Sequence, residues 1–378
     1  MYDIDSLRQE IDKIDAELLP LFLKRMNCSL GIAEYKRQNN LPVLDKQREE
    51  KILNDKMSKV SEELRIPVRD FFAGIMKISR NEQTKALADT QYALSLLDNF
   101  ENATDVKKPL VAYQGIPGSN SETALMQFFG ESSEKTNVMT FAEVLDAVND
   151  NKADFGVIPL ENSSTGSISA TLDLLEKRSL YIVGETEVNI DHCLVGLPAA
   201  ELRDIKKVYS HEQGYMQCKA FFAKHPKMQF EPYHNTALAA KMIAGNGDPS
   251  VAAISDRRAA ELYGLKILAE GISSIDVNKT RFIVIAKKGQ LAPEFDKVSI
   301  LFTLPDRSGI LNEVLSVFAQ SGVNLLKIES RPSRDGSFHY MFFVDFEGNL
   351  QDEKIKNVIS QLLNMTASLK ILGNYKSC

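Results

Sequence analysis

The chain is poor in several of the features that mark common protein classes. It has no apolar run of the length a bilayer requires, which argues against a membrane role. Its start, Met1 to Asp15, alternates acids, bases and aliphatics where a leader would show a basic segment, an apolar stretch and a cleavage site; this reads as mature cytoplasmic sequence. Basic charge is in deficit, with 45 Lys and Arg against 51 Asp and Glu, so nucleic acid is not expected as the main partner. The four cysteines, Cys28, Cys193, Cys218 and Cys378, stand far apart without paired spacing; they signal neither a zinc site nor a disulfide framework and read as reduced thiols. No glycine pattern of the P-loop or dinucleotide-binding kind occurs, so no nucleotide cofactor is expected; the cysteine spacing gives no reason to expect a metal. Repeats and low-complexity tracts are missing as well.

What remains is a chain of 378 residues, 44% hydrophobic and 25% charged, longer than one core usually supports. Periodicity divides it into three parts. Up to about Leu97 the pattern is helical: Ile4, Leu7, Ile11, Ile14, Leu18, Leu21 and Phe22 fall at three- and four-residue steps. A second helix is predicted from about Asp45, after Leu41-Pro42-Val43, and a third from about Pro67. Three such helices cannot close a substantial core alone, so a second copy is expected to cover them, as a homodimer or larger homo-oligomer. Residues 98–108 read as a linker.

From 109 to 289 buried-strand runs (Leu110 to Tyr113, Phe155 to Ile158, Val208-Tyr209, Val251 to Ile254, Phe282 to Ile285) alternate with helical stretches, which predicts an α/β domain. A spacer through Glu294 leads to a βαββαβ pattern over 297–378. Its parts are Val298 to Phe302, a helix Ile310 to Gln320, Val323 to Ser330, a hairpin around Asp335-Gly336, Phe338 to Phe346, a helix Asp352 to Leu363, and Leu369 to Leu372.

In the helical part, basic residues occupy apolar positions. Arg8, Arg25 and Lys36 each lie four residues after an apolar stripe position, and Ser79 and Gln83 share a face with Phe72, Ile75 and Met76. Long cations can snorkel from a stripe's edge. They can equally be paired by a bound dianion, which offsets the cost of burying them. Arg8, Arg25, Lys36, the Asp45-Lys46-Gln47-Arg48-Glu49 segment, Ser79 and Gln83 together resemble the all-helical chorismate mutases, which are intertwined dimers. The resemblance implies that Arg8 from a partner copy, Arg25 and Ser79 bind carboxylates, that Lys36 and Gln83 serve the ether oxygen as catalytic donors, and that Asp45, Arg48 and Glu49 line the hydroxyl side. Pro20 departs from a regular helix, and a kink or break is expected there.

The α/β part has junctions rich in small polar residues: Gly115 to Ser121, Glu161-Asn162-Ser163-Ser164-Thr165-Gly166-Ser167, and Ser210-His211-Glu212-Gln213-Gly214. Each reads first as a helix cap. Several converging would form an anion site without lysine. With Val277-Asn278-Lys279-Thr280-Arg281-Phe282 these segments resemble the prephenate dehydratases. That resemblance implies two lobes like those of periplasmic binding proteins, Thr280 as the central catalytic residue, substrate contacts from Asn162, Ser163, Ser210 and Gln217, and a carboxylate held by Arg281. His211 is a candidate acid but also suits a structural hydrogen bond at a helix start. Cys218 reads as packing, for want of a partner base.

The C-terminal part resembles the ACT regulatory domains. Ile328-Glu329-Ser330-Arg331-Pro332 matches the Glu-Ser-Arg-Pro motif of phenylalanine-sensing dehydratases; Asp306 to Asn312 matches a second motif at Gly309 and Leu311 but departs from it at Ile310 and Asn312. The resemblance implies an L-phenylalanine site made by Gly309, Leu311, Glu329, Ser330, Arg331 and Pro332, and an enzyme converting chorismate through prephenate to phenylpyruvate. A small-carboxylate sensor without dehydratase activity is the alternative from another class; it would need neither Thr280 beside Arg281 nor the mutase set. A mutase joined to a dehydrogenase would need a nicotinamide-binding fingerprint.

Overall fold

The computed structural model describes residues 3–39, 41, 43–87, 95–104, 106–275, 277–332 and 340–378. The N-terminal part is three helices, α1 (Ile4–Gln38), α2 (Lys46–Met57) and α3 (Arg65–Leu87). Local chemistry fixes their starts. The Asp3 carboxylate accepts from the backbone N–H groups of Asp5 and Ser6, and Asp45 accepts from that of Arg48 at 3.0 Å. Pro67 falls in the first turn of α3, where its missing N–H has no intrahelical partner to lose. The break expected at Pro20 does not occur, because α1 is one helix through that residue. Roughly four to five turns on each side hold the axis while one hydrogen bond is lost. The apolar stripe of α1 is uncovered in the single chain: Ile4, Leu7, Ile11, Ile14, Leu18 and Leu21 are each 45–66% exposed.

Part of the expected linker is ordered. Phe100–Asn102 pairs in parallel with Gly289–Leu291, and the Phe100 ring meets Tyr181 edge-on at 5.0 Å. One aromatic in a polar stretch is too weak a pattern to announce a strand.

The middle part has two lobes, each built on its own sheet. In the first, the strands Glu134–Val138, Leu110–Gln114, Phe155–Asn162, Lys279–Ala286 and Tyr181–Asn189 lie side by side in that order. The second has Gln229–Pro232, Lys207–Ser210, Val251–Ser255, Cys193–Gly196 and Lys266–Ala269. The chain leaves the first lobe after Asn189 and returns at Lys279, so the lobes are joined by two crossing strands of backbone. Arg258, in the second lobe, donates to Glu122 at 2.8 Å and Thr123 at 3.1 Å in the first, and the Tyr263 hydroxyl donates to the Pro117 carbonyl at 2.5 Å.

The C-terminal module follows the predicted βαββαβ order: Lys297–Thr303, Ile310–Gln320, Leu325–Pro332, Tyr340–Glu347, Glu353–Leu363 and Ser368–Tyr375. The hairpin expected around Asp335-Gly336 lies outside the described residues. Its sheet does not stop at the module's edge. Ser368–Tyr375 runs beside Tyr181–Asn189 with Gly373 opposite Ile182, making one sheet of ten strands among the described residues. A Cβ at position 373 would lie 2.0 Å from the Ile182 carbonyl oxygen, so this approach requires glycine. The helical part also touches the module, where Asn81 donates to Gln320 at 2.6 Å. Among the described residues no helix is long and apolar enough to cross a membrane.

Candidate active sites

The first site is a cavity of about 290 Å³ between the three helices. Arg25, Lys36, Asp45, Arg48, Glu49, Ser79 and Gln83 all line it. Helical spacing explains the convergence: Arg25, Ser29, Ile32 and Lys36 are steps along one face of α1, while Met76, Ser79 and Gln83 face them from α3. Arg25 donates to the Ser79 hydroxyl and to the Ile75 carbonyl at 3.4 Å. Burial lowers its pKa from the ordinary guanidinium value, against the pull of Glu49. Lys36 donates one of its three hydrogens to the Val43 carbonyl. Gln83 donates to Ser29 at 2.7 Å, and its carbonyl oxygen is buried without a partner among the described residues.

Two members differ from expectation. Glu49 is engaged by Arg80, a lining residue that no periodic signal had marked, and Asp45 caps α2. Arg8 is not in this cavity. It lies 17 residues before Arg25, roughly 25 Å along the helix at 1.5 Å per residue, and is exposed beside Asp5 at 3.5 Å.

The second site is a cleft of about 260 Å³ between the two lobes. Asn162, Gln217 and Thr280 line it. Asn162 sits at its centre: its amide donates to the Thr280 hydroxyl oxygen at 2.9 Å, to Asn278 Oδ1 at 2.8 Å and to the Lys279 carbonyl at 3.0 Å. Its own oxygen accepts from the Ser164 backbone N–H at 3.0 Å and hydroxyl at 2.6 Å. Gln217 donates to Ser164 at 2.8 Å, and its oxygen lies 2.8 Å from His192 Nε2 and accepts from Asn278 at 3.2 Å. Burial lowers the His192 pKa and favours the neutral ring, against the pull of Gln217 and Asp256.

No lysine, arginine or carboxylate lines this cleft among the described residues. Helix starts do instead. Ser119 and Asn235 cap the helices Asn120–Phe129 and Thr236–Asn246, and both caps and first turns face the cleft. The positive ends of two helices at one cleft suit an anion without a side-chain cation. His211 lines the cleft too, but its Nδ1 accepts from the Gln213 backbone N–H at 3.2 Å, the structural role expected at a helix start.

Three expected contacts fall elsewhere. Ser163 is exposed, accepting from the Lys279 backbone N–H at 2.9 Å and facing the Val277 carbonyl. Ser210 is fully buried behind the neighbouring helix, its hydroxyl toward the Ile254 carbonyl at 3.5 Å. Arg281 follows Thr280 on the strand Lys279–Ala286, and alternate side chains of a strand point to opposite faces. Its guanidinium therefore leaves the cleft and is spent on Glu161, Glu185, Asp345 and Tyr375. Cys218 is buried packing, its thiol pushed up to about 12 by burial.

Comparison with known proteins matches this division. The family model for chorismate mutase type II covers residues 7–84, that for prephenate dehydratase 111–290, and that for the ACT domain 298–364. The bifunctional chorismate mutase/prephenate dehydratase of Aquifex aeolicus is 34% identical, over 99% of this chain and 98% of its own length. The chain belongs to the bifunctional chorismate mutase/prephenate dehydratase family. The protein of the same name from Escherichia coli K12 is 30% identical, over 98% of this chain and 96% of its own. Among solved structures, a prephenate dehydratase from Arthrobacter aurescens in complex with L-Phe is 32% identical, with a TM-score of 0.66, 71% of this chain and 90% of that chain covered.

In the ACT module, Gly309 has φ 83° and caps the helix Ile310–Gln320. Leu311 packs against the module's core. Along Leu325–Pro332 the side chains alternate. Lys327, Glu329 and Arg331 are half-buried, whereas Ser330 and Pro332 are exposed. Glu329 accepts from the Ser167 hydroxyl of the dehydratase domain, and Arg331 lies 3.7 Å from Asp173.

Proposed function

We infer that the helical cavity rearranges chorismate to prephenate and that the interlobe cleft converts prephenate to phenylpyruvate, water and carbon dioxide. The observation that carries this reading is the contrast between two polar cavities in one chain, one lined with cations and one, among the described residues, without a lysine or arginine. The first reaction is unimolecular: an ether C–O bond breaks as a C–C bond forms. It needs two carboxylates held in a compact conformer and donors where charge grows on the ether oxygen. Arg25 and Ser79 suit the first task, Lys36 and Gln83 the second, and Arg48 the substrate's hydroxyl side.

The second reaction is driven by aromatisation. It needs a proton for the departing hydroxyl and little else; the helix ends can hold the carboxylate that stays, and the lack of a lining side-chain cation avoids trapping the one that must leave as carbon dioxide. Thr280 accepts from Asn162, which leaves its own O–H to donate into the cleft.

Two copies complete the mutase site. The uncovered stripe of α1 and the distance from Arg8 to the cavity support an exchange in which Arg8 of each chain serves the other. Mixing Arg8→Ala chains with Arg25→Ala chains, each inactive alone, is expected to restore about a quarter of wild-type mutase activity if copies pair at random and sites act independently. An inert mixture, with subunit exchange demonstrated, would rule out the shared site.

L-phenylalanine is the effector this reading assigns to the ACT module, supported by Gly309 at a helix start and by Glu329 and Arg331 on the strand facing the dehydratase domain. Incubation with chorismate and no added cofactor should yield phenylpyruvate, and millimolar L-phenylalanine should suppress it. Prephenate accumulating without phenylpyruvate would leave a mutase with a sensor.

A further inference from the structure

Arg281 was expected in the cleft and is found behind it, in contact with another domain. On the paired strands Phe155–Asn162 and Lys279–Ala286, Thr280 stands opposite Asn162 and Arg281 opposite Glu161. One face of this four-residue patch carries the hydroxyl and amide of the dehydratase cleft. The reverse face carries an ion pair at 3.0 Å.

Arg281 is 9% exposed, and its guanidinium forks to both sides. Within the dehydratase domain it donates to Glu185 at 2.6 Å and Glu161 at 3.0 Å. From the ACT module it is met by Asp345 at 2.7 Å and the Tyr375 hydroxyl at 3.0 Å. Those two are themselves tied, since Ser299 bonds both Asp345 and Tyr375. The second oxygen of Glu185 takes Lys297, and that of Glu161 takes Lys327, both from the module. A buried charge that loses a partner is costly, so this set holds together or not at all.

We propose that Arg281 is a positioning residue for the dehydration step, fixing the strand segment that carries Thr280 against Asn162, and that the ACT module supplies half of the groups that hold it. The module is then a structural part of the dehydratase site. This inference rests on the reading of the interlobe cleft as that site.

The test uses the full chain with Arg281→Lys, which keeps a charge but loses the fork, and Tyr375→Phe, which removes one hydroxyl from a buried ring. For Tyr375→Phe, prephenate kcat is expected to fall roughly two- to tenfold, the worth of one hydrogen bond. Arg281→Lys should fall further. In both, KM for prephenate should change little and chorismate turnover should stay at the wild-type level. Amide hydrogen exchange across 279–282 should quicken in both variants. Unchanged kcat with unchanged exchange overturns the proposal. So does a parallel loss of both activities and of melting temperature, which would mark a merely structural role. If the wild-type chain fails to turn over prephenate, the cleft reading falls by itself, and exchange at 279–282 alone then decides for or against the positioning role.

Discussion

Replacing Thr280 with valine is expected to lower prephenate turnover by about 10²- to 10⁴-fold, the usual worth of a positioned proton donor. Valine nearly matches threonine in shape, so the loss reports the hydroxyl. The fold should tolerate it, because the Asn162 amide that donates to Thr280 also has the Asn278 oxygen and the Lys279 carbonyl as acceptors. No buried N–H is stranded, which would otherwise cost about 1–3 kcal/mol. Thr280→Ser should retain part of the activity, and chorismate turnover should be untouched in both. Steady-state rates on prephenate, with melting curves for each variant, check this. A valine variant as fast as wild type would remove Thr280 as the donor.

Lys36→Ala is expected to act on the other reaction alone. Its ammonium faces the helical cavity and gives the Val43 carbonyl only one hydrogen, leaving two for the ether oxygen. Removing a donor from the point where charge develops costs roughly 10²- to 10³-fold in kcat. Prephenate turnover should stay near the wild-type rate, because no residue of the helical cavity lines the interlobe cleft. Rates measured separately on chorismate and on prephenate decide it. Equal loss on both substrates in a folded variant would contradict two independent sites.

How far these residues were readable beforehand depended on where local pattern ends. Arg25, Lys36, Ser79 and Gln83 were visible as polar groups at apolar positions of helices, and the helical period does bring them to one cavity. Thr280 and Asn162 were visible as small polar residues near strand ends. Arg281 was assigned a carboxylate by resemblance alone; it lies on the strand Lys279–Ala286, and the two-residue period sends it to the face opposite Thr280. Its partners were hidden for a related reason. Tyr181–Asn189 is a central strand, yet it carries Glu185 and Glu187 and so does not read as an apolar run. A buried Glu185 makes sense only once Arg281 and Lys297 are beside it, and these lie 96 and 112 residues away. His192 was hidden likewise, lying at the crossing between lobes where no periodicity points to the cleft. Pro20 shows the opposite case, a strong local signal that a long helix on both sides absorbs.

The continuous sheet bears on any attempt to divide the chain. A cut near residue 292 follows the family boundaries, but it would strip Ser368–Tyr375 from Tyr181–Asn189 and bare a strand edge of the dehydratase domain. That edge would carry unpaired backbone groups next to Glu185 and Arg281, both now without their counter-ions from Lys297 and Asp345. The isolated fragment would expose a sticky, charge-frustrated surface, so dividing the two domains requires redrawing that seam.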